Sequence, residues 1–179
     1  MMLTGKNITL RYFTLEDAPE RLRLQKDNRA FFERFSMDRD ESFYTEDEQR
    51  KLIAQQIEGR ENDSEYHFGI YTKDEVLIGT INLFFVARGA LQSGFIGYFL
   101  DERYNGKGYT TEAVKLMVNY AFEELKLHRI EAGVMPHNIG SIRVLMKAGF
   151  HKEGLARKNV KINGRWEDHE LLAIVNPND

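Results

Sequence analysis

Two glycines, Gly106 and Gly108, lie in a short polar segment between a strand-like run and a helix-like run. Glycine removes side chains where the chain turns, so consecutive backbone N–H groups can point outward at the positive N-terminus of the following helix. Such a loop can bind a phosphate or pyrophosphate. The spacing does not fit a Walker P-loop, and the third glycine of the dinucleotide fingerprint is missing. The chemistry predicted first is therefore binding of a phosphate-bearing ligand.

The elements on either side would position this loop. Residues 94–100 are short, apolar and aromatic, as in a buried strand. Downstream, one helix face is predicted from the spacing of Ala113, Leu116, Met117, Tyr120 and Ala121. Residues 129–134 then form another strand. Since a helical crossover joins it to the strand at 94–100, the two strands should run parallel.

The remaining elements are predicted from local signals. Alternating apolar residues predict a strand at residues 6–13, and Thr14 and Thr45 cap two early helices, the second ending at Gly59. Short polar turns predict an antiparallel meander of strands at 66–72, 76–86 and 93–100. Asn138 caps a helix that ends at Gly149, and Asn163-Gly164 is the turn of a hairpin at 155–162 and 165–175. The order predicts an α+β fold with a mixed sheet.

Composition narrows the class of protein. A length of 179 residues predicts one domain, 1–179. With no cysteine, a disulfide, a thiolate metal site and a covalent acyl-cysteine intermediate are excluded, and the five histidines lack metal-ligand spacing, so no metal site is predicted. A net charge of −3 argues against a nucleic-acid partner. No apolar run has the length of a membrane span, and we expect a cytoplasmic protein.

Two segments resemble motifs of a known family. Residues 103–113 read Arg-x-x-Gly-x-Gly followed by Tyr-x-Thr-Glu-Ala, and residues 138–141 read Asn-x-x-Ser, followed by Lys-x-Gly-Phe at 147–150. Both resemble the acetyl-CoA-binding signatures of the GNAT superfamily of acyltransferases, in the family's order. Over nearly the whole chain the layout is similar to the RimJ/RimL type.

The resemblance implies a GNAT-like sheet, mostly antiparallel and flanked by helices, with a central parallel pair of strands that splay apart. It implies transfer of an acetyl group from acetyl-CoA to an amine by direct attack, with Ser141 as the catalytic residue that protonates the departing thiolate. The residues it assigns to cofactor binding are Tyr98, Phe99, Leu100, Arg103, Asn105, Gly106, Lys107, Gly108, Tyr109, Thr110, Asn138 and Ser141.

Two positions depart from patterns common in the family. Leu145 stands where many members have a tyrosine acid, which leaves Ser141 as the donor. Phe95 stands where RimJ/RimL-like sequences often carry a glutamate base. Without that base, a protein α-amine of pKa near 7.7–8.0 is a better acceptor than a lysine or polyamine amine of about 10.4. Glu102, His67 and Glu170 are candidate replacement bases.

We therefore predict an N-acetyltransferase acting on a protein N-terminus, including that of a ribosomal protein. An alternative is acetylation of a polyamine or aminoglycoside, which the acidic stretch Asp38–Glu65 would favour, with ten acidic residues against four basic ones. A non-catalytic acyl-CoA sensor and a phosphate-binding module unrelated to CoA are further alternatives. The sequence leaves the acceptor, the acyl length and homodimer formation open.

Overall fold

The computed structural model describes residues 1–179 and contains one eight-stranded sheet with helices on both faces. The strand order is β1-β2-β3-β4-β5-β6-β8-β7. The strands span Met2–Thr4 (β1), Ile8–Tyr12 (β2), Tyr66–Thr72 (β3), Leu77–Ala87 (β4), Ser93–Leu100 (β5), Arg129–Val134 (β6), His151–Ile162 (β7) and Arg165–Val175 (β8).

Five α-helices connect these strands. They span Ala18–Asp27 (α1), Arg29–Glu33 (α2), Glu46–Glu61 (α3), Tyr109–Glu123 (α4) and Ile139–Lys147 (α5). Helices α4 and α5 cover one face of the sheet over a core of 24 buried residues. Helices α1, α2 and α3 cover the other face over a smaller core of seven. No helix is both long and apolar enough to cross a bilayer.

The predicted α+β architecture is confirmed. Strands β3, β4 and β5 form the antiparallel meander, and β6 runs parallel to β5. The face of α4 predicted from the apolar spacing is the buried one, because Ala113, Met117, Tyr120 and Ala121 are all in the larger core.

Two predicted boundaries were wrong, and one strand was missed. Gly59 does not end α3, which continues to Glu61. A Cβ on Gly59 would lie 2.4 Å from Glu65 Cγ, so this glycine permits close packing rather than a helix stop. The outer hairpin strand begins at His151 instead of Leu155, and β1 was not predicted.

Strand β7 is an outer strand that pairs only with β8. Its register shifts between Lys152 and Gly154 and again between Ala156 and Val160. Nine of its twelve residues are exposed, and Ile162 at its end is buried.

Candidate active site

The glycine loop has the backbone conformation that its sequence predicts. Gly106 and Gly108 have φ of 80° and 82°, values in the left-handed region that disfavour other residues. A Cβ at either position would meet no atom within 4 Å, so both face open space. Gly108 is the N-cap of α4, and its carbonyl accepts from the N–H of Glu112. The preceding N–H groups of the first helical turn therefore have no partner inside the helix and are free for an anion.

A buried carboxylate supports the loop from behind. Asp101 is 1% exposed and accepts hydrogen bonds from Arg103 Nη2 at 2.7 Å and Arg103 Nε at 3.1 Å. Burial opposes ionisation, but the hydrogen bonds from Arg103 outweigh it and lower the pKa of Asp101. Arg103 therefore fixes the loop through Asp101, and its side chain does not line the cleft beside the glycines.

Strands β5 and β6 separate next to this loop. They pair only from Ser93 to Phe95, opposite Arg129 to Glu131. The backbone N–H of Asp101 donates to the carbonyl oxygen of Ile78 on β4. Successive N–H groups along a strand point in opposite directions, so those of Tyr98 and Leu100 point away from β4, toward the gap. The free edge of β5 can therefore bind an extended ligand as an added strand.

Two hydroxyl groups meet at this gap. Tyr98 Oη lies 2.7 Å from Ser141 Oγ and 3.3 Å from the Ser141 carbonyl oxygen. Burial raises the pKa of Tyr98 to about 12, so the phenol keeps its proton at neutral pH. Asn138, the N-cap of α5, accepts from the Ser141 N–H at 3.3 Å and so fixes the backbone of Ser141.

The loop, the gap and the first turn of α5 enclose a cleft of about 500 Å³. It brings together ten of the predicted site residues: Tyr98, Phe99, Leu100, Asn105, Gly106, Gly108, Tyr109, Thr110, Asn138 and Ser141. Two others lie outside its lining. Arg103 is paired with Asp101, and Lys107 Nζ lies 5.5 Å from the ring of Tyr104.

The cleft is also lined by three cations that were not among the predicted site residues, although Lys147 belongs to the motif at 147–150: Arg34, Arg143 and Lys147. None of them forms a salt bridge within the chain, and no carboxylate lines the cleft. A helical signal existed for two of them, because Gly140, Arg143, Val144 and Lys147 follow the spacing of one helix face. The cleft is therefore shaped and charged for a ligand with several phosphates, which fits a CoA nucleotide.

The candidate bases are scattered. His67 lies on β3 under α3, where Glu65 Oε2 is 3.0 Å from its Nε2, and β4 separates it from β5. Burial lowers the pKa of His67. Glu102 follows β5, and Glu170 pairs with Val134 on the far edge of the gap. His169, not considered as a base from sequence, is buried against Gly133 beside the gap. None of these side chains lines the cleft.

Part of the acidic stretch Asp38–Glu65 is paired with basic side chains. Glu41 pairs with Arg29, and Glu46 pairs with Arg50 at 2.8 Å. Asp63 pairs with Arg88 at 2.6 Å. Such pairs are typical of a solvated helical surface. Five acidic residues of the stretch form no salt bridge, so it keeps the negative charge on which the polyamine alternative depends: Asp38, Asp40, Glu48, Glu58 and Glu61.

Phe95 belongs to an aromatic cluster at the paired end of β5. Its ring centroid lies 5.8 Å from that of Phe84 and 6.3 Å from that of Phe85. Phe85 itself is 75% exposed, where β4 bulges and turns the side chain outward. The cluster gives the paired end of β5 an apolar surface.

Comparison with known proteins agrees with this geometry. The Acetyltransferase (GNAT) domain family matches residues 7–151. A probable N-acetyltransferase of Bacillus subtilis, YjcK, is 64% identical over 179 residues, which is 99% of each chain. The crystal structure of the ribosomal-protein-S5-alanine acetyltransferase from Vibrio fischeri superimposes with a TM-score of 0.94 at 30% identity, covering 99% of this chain and 98% of the other. Mycobacterium smegmatis RimJ, solved in complex with CoA-disulfide, gives 0.92 at 28% identity, covering 96% and 83%.

The chain belongs to the GNAT family of acetyltransferases. It is an acyltransferase with relatives among the RimJ/RimL ribosomal-protein acetyltransferases, and the members of this group use acetyl-CoA. The predicted sensor without enzymatic activity and the module unrelated to CoA are therefore set aside.

Proposed function

We propose that this enzyme transfers the acetyl group of acetyl-CoA to the α-amino group at the N-terminus of a protein. The likeness to a ribosomal-protein-S5-alanine acetyltransferase over almost the full length of both chains supports a protein acceptor. The observation that carries the choice of amine is Phe95, which sits in an aromatic cluster at the position where related sequences often place a base.

Different residues of the cleft would bind the pyrophosphate and the pantetheine arm of the CoA. The free N–H groups around Gly106 and Gly108 would hold the pyrophosphate, and Arg143 and Lys147 on α5 would add positive charge. The exposed edge of β5 would hold the pantetheine arm, with the N–H groups of Tyr98 and Leu100 as hydrogen-bond donors.

When bound, acetyl-CoA supplies an activated acetyl thioester. The neutral amine attacks the carbonyl carbon, so an N–C bond forms as the C–S bond breaks, and one proton leaves the amine while one joins the sulfur. A backbone N–H of β5 stabilises the negative charge that develops on the carbonyl oxygen. The proton that the amine loses passes to solvent water. Ser141 donates its hydroxyl proton to the sulfur and takes the hydroxyl proton of Tyr98 in its place, and the Tyr98 oxygen is reprotonated from water in the cleft.

Without a carboxylate base at position 95, the rate depends on the fraction of the acceptor amine that is already neutral. An α-amine of pKa near 8 is roughly one-tenth neutral at pH 7, whereas an amine of pKa 10.4 is neutral in less than about one molecule in a thousand. An enzyme without a strong base at Phe95 therefore works best on an amine that is already partly deprotonated.

The test is an acetylation assay that follows thiol release and product mass. The substrates would be an Ala-initiated peptide, the same peptide with its α-amine blocked and one internal lysine, spermidine, and an aminoglycoside. We expect turnover on the free α-amine only. Acetylation of spermidine or of the blocked peptide in preference to the free N-terminus would refute the proposed acceptor.

A further inference from the structure

Helix α1 has an unusually polar buried face. Arg21 and Gln25 are 7% and 4% exposed, and because they are four residues apart they face the same side of the helix. An amphipathic helix normally turns apolar residues toward the core. Burying a guanidinium group costs free energy unless hydrogen bonds or an ion pair compensate for the lost hydration, so the partners of Arg21 matter.

Arg21 has few partners. Its Nη1 donates to Gln56 Oε1 at 2.6 Å, its guanidinium carbon lies 4.9 Å from the centre of the Phe13 ring, and its Nε has no hydrogen-bond partner. No carboxylate lies within salt-bridge distance. Asp17, the acidic group whose charge reaches Arg21, is already bound by Arg11 through two hydrogen bonds of 2.9 Å.

A second arginine joins this face from the loop after α2. Arg39 Nη1 donates to Gln25 Oε1 at 3.1 Å. Its guanidinium carbon lies 4.2 Å from the ring centre of Phe43 and 5.6 Å from that of Phe99. Arg39 also has no carboxylate partner. Burial, and then the charge of Arg39, lower the pKa of Arg21 to about 10, so the buried guanidinium still carries its charge at neutral pH.

These cations lie on the face of the sheet covered by α1, α2 and α3, beside Phe99 of β5. Phe99 both contacts Arg39 and lines the cleft at the free edge of β5. Arg39 itself is partly exposed, is bonded to Gln25 of α1 and is not part of the cleft lining, so it lies beside the cleft on the face covered by α1, α2 and α3. An acceptor that reaches the gap from that side would pass this guanidinium.

We infer that Arg39, with Arg21 behind it, binds a carboxylate of the acceptor, namely an Asp or Glu side chain at one of residues 2 to 4 of the protein N-terminus. Arginine suits this role because its planar donors match a carboxylate. A residue of extended chain spans about 3.3–3.6 Å, so side chains at these positions lie within roughly 15 Å of the amine. The inference rests on the proposed function, and it predicts discrimination against polycationic amines.

The experiment compares matched peptides. Each Ala-initiated peptide carries one Glu at position 2, 3 or 4, and its partner carries Gln at the same position. For wild type we expect kcat/KM to be about tenfold higher for at least one Glu peptide than for its Gln partner, as for one partly exposed charge-assisted hydrogen bond. In R39Q this ratio should fall to about one, and R39K should retain part of it.

A matched control is R50Q, which removes an exposed arginine paired with Glu46 on α3 and should leave the ratio unchanged. Equal rates on Glu and Gln peptides in wild type, or a full preference in a folded R39Q, would overturn the inference. These results would leave N-terminal acetylation itself intact.

A binding measurement separates failure of the inference from failure of the proposed function. Calorimetry in the presence of CoA would measure the affinity for N-acetyl-Ala-Glu-amide and for N-acetyl-Ala-Gln-amide. Longer acetylated peptides, with Glu or Gln at position 3 or 4, would be compared in the same way. Tighter binding of a Glu product that R39Q abolishes supports the carboxylate site even if no peptide is turned over. Identical affinities for every pair would sink it.

Discussion

Replacing Gly108 by valine tests the glycine loop most directly. At φ of 82° a residue with a Cβ is strained by roughly 1–2 kcal/mol, and more for a β-branched side chain. A Cβ at this position would meet no protein atom within 4 Å, so on the proposed assignment of the loop it would occupy space needed by the phosphate. Loss of one or two charge-assisted hydrogen bonds, each contributing about 1.5–3 kcal/mol, should weaken CoA binding by at least about tenfold.

Gly89 provides a matched control for this strain. It has φ of 64° and also has no atom within 4 Å of a Cβ, but it lies in the turn between β4 and β5, away from the cleft. Calorimetric titration with CoA and thermal unfolding would be measured for both variants. Both G108V and G89V should lose stability, whereas only G108V should lose CoA affinity. Wild-type affinity in G108V, or an equal loss in both, would refute the assignment of the loop.

Three further outcomes follow from the site. Ser141→Ala should lower kcat by about 10- to 100-fold with little change in CoA affinity, and Tyr98→Phe should lower kcat by a smaller factor. If kcat were unchanged in both variants, the two hydroxyl groups would have no part in the proposed reaction. With a peptide α-amine as acceptor, kcat/KM should rise about tenfold per pH unit up to about pH 8 and then level off. A plateau that begins at about pH 6.5 would instead indicate an imidazole base, and the H169Q variant would show whether His169 is that base. Asp101→Asn should destabilise the fold by about 1–3 kcal/mol at neutral pH. Because the pKa of Asp101 is lowered in the folded state, the ionised carboxylate stabilises the fold above about pH 4. The difference in unfolding free energy between wild type and D101N should therefore shrink as the pH falls below that value. A difference that does not depend on pH would contradict the ion pair.

Much of the fold could be predicted because local patterns and tertiary structure agree. The apolar spacing of α4 and the crossover that makes β6 parallel to β5 both follow from general packing rules. Gly59 was misread because a glycine near a helix end is a common stop signal, whereas here it makes room for Glu65. The outward turn of Phe85 depends on a bulge in β4, which an alternating sequence does not reveal.

The candidate site was predictable where one local segment determines it. The glycine loop and the Asn138 cap are such segments, and the cleft includes both. Sequence could not show that Arg103 is bound by Asp101 instead of lining the cleft, because a charged side chain two residues away is only one of several partners available. The pairing of Tyr98 with Ser141 joins positions 43 residues apart, so only the folded chain brings it about.

The outer position of β7 has a consequence for solubility. A long strand with one free edge offers its unpaired backbone to any other extended chain and so invites fibrous association. Two features of β7 oppose this: its register shifts bend the edge, and Lys152, Arg157, Lys158 and Lys161 cover it with positive charge that no internal salt bridge offsets. Two such edges repel each other, and the repulsion fades as added salt screens the lysines and arginine. These features disfavour the addition of another strand at the free edge of β7.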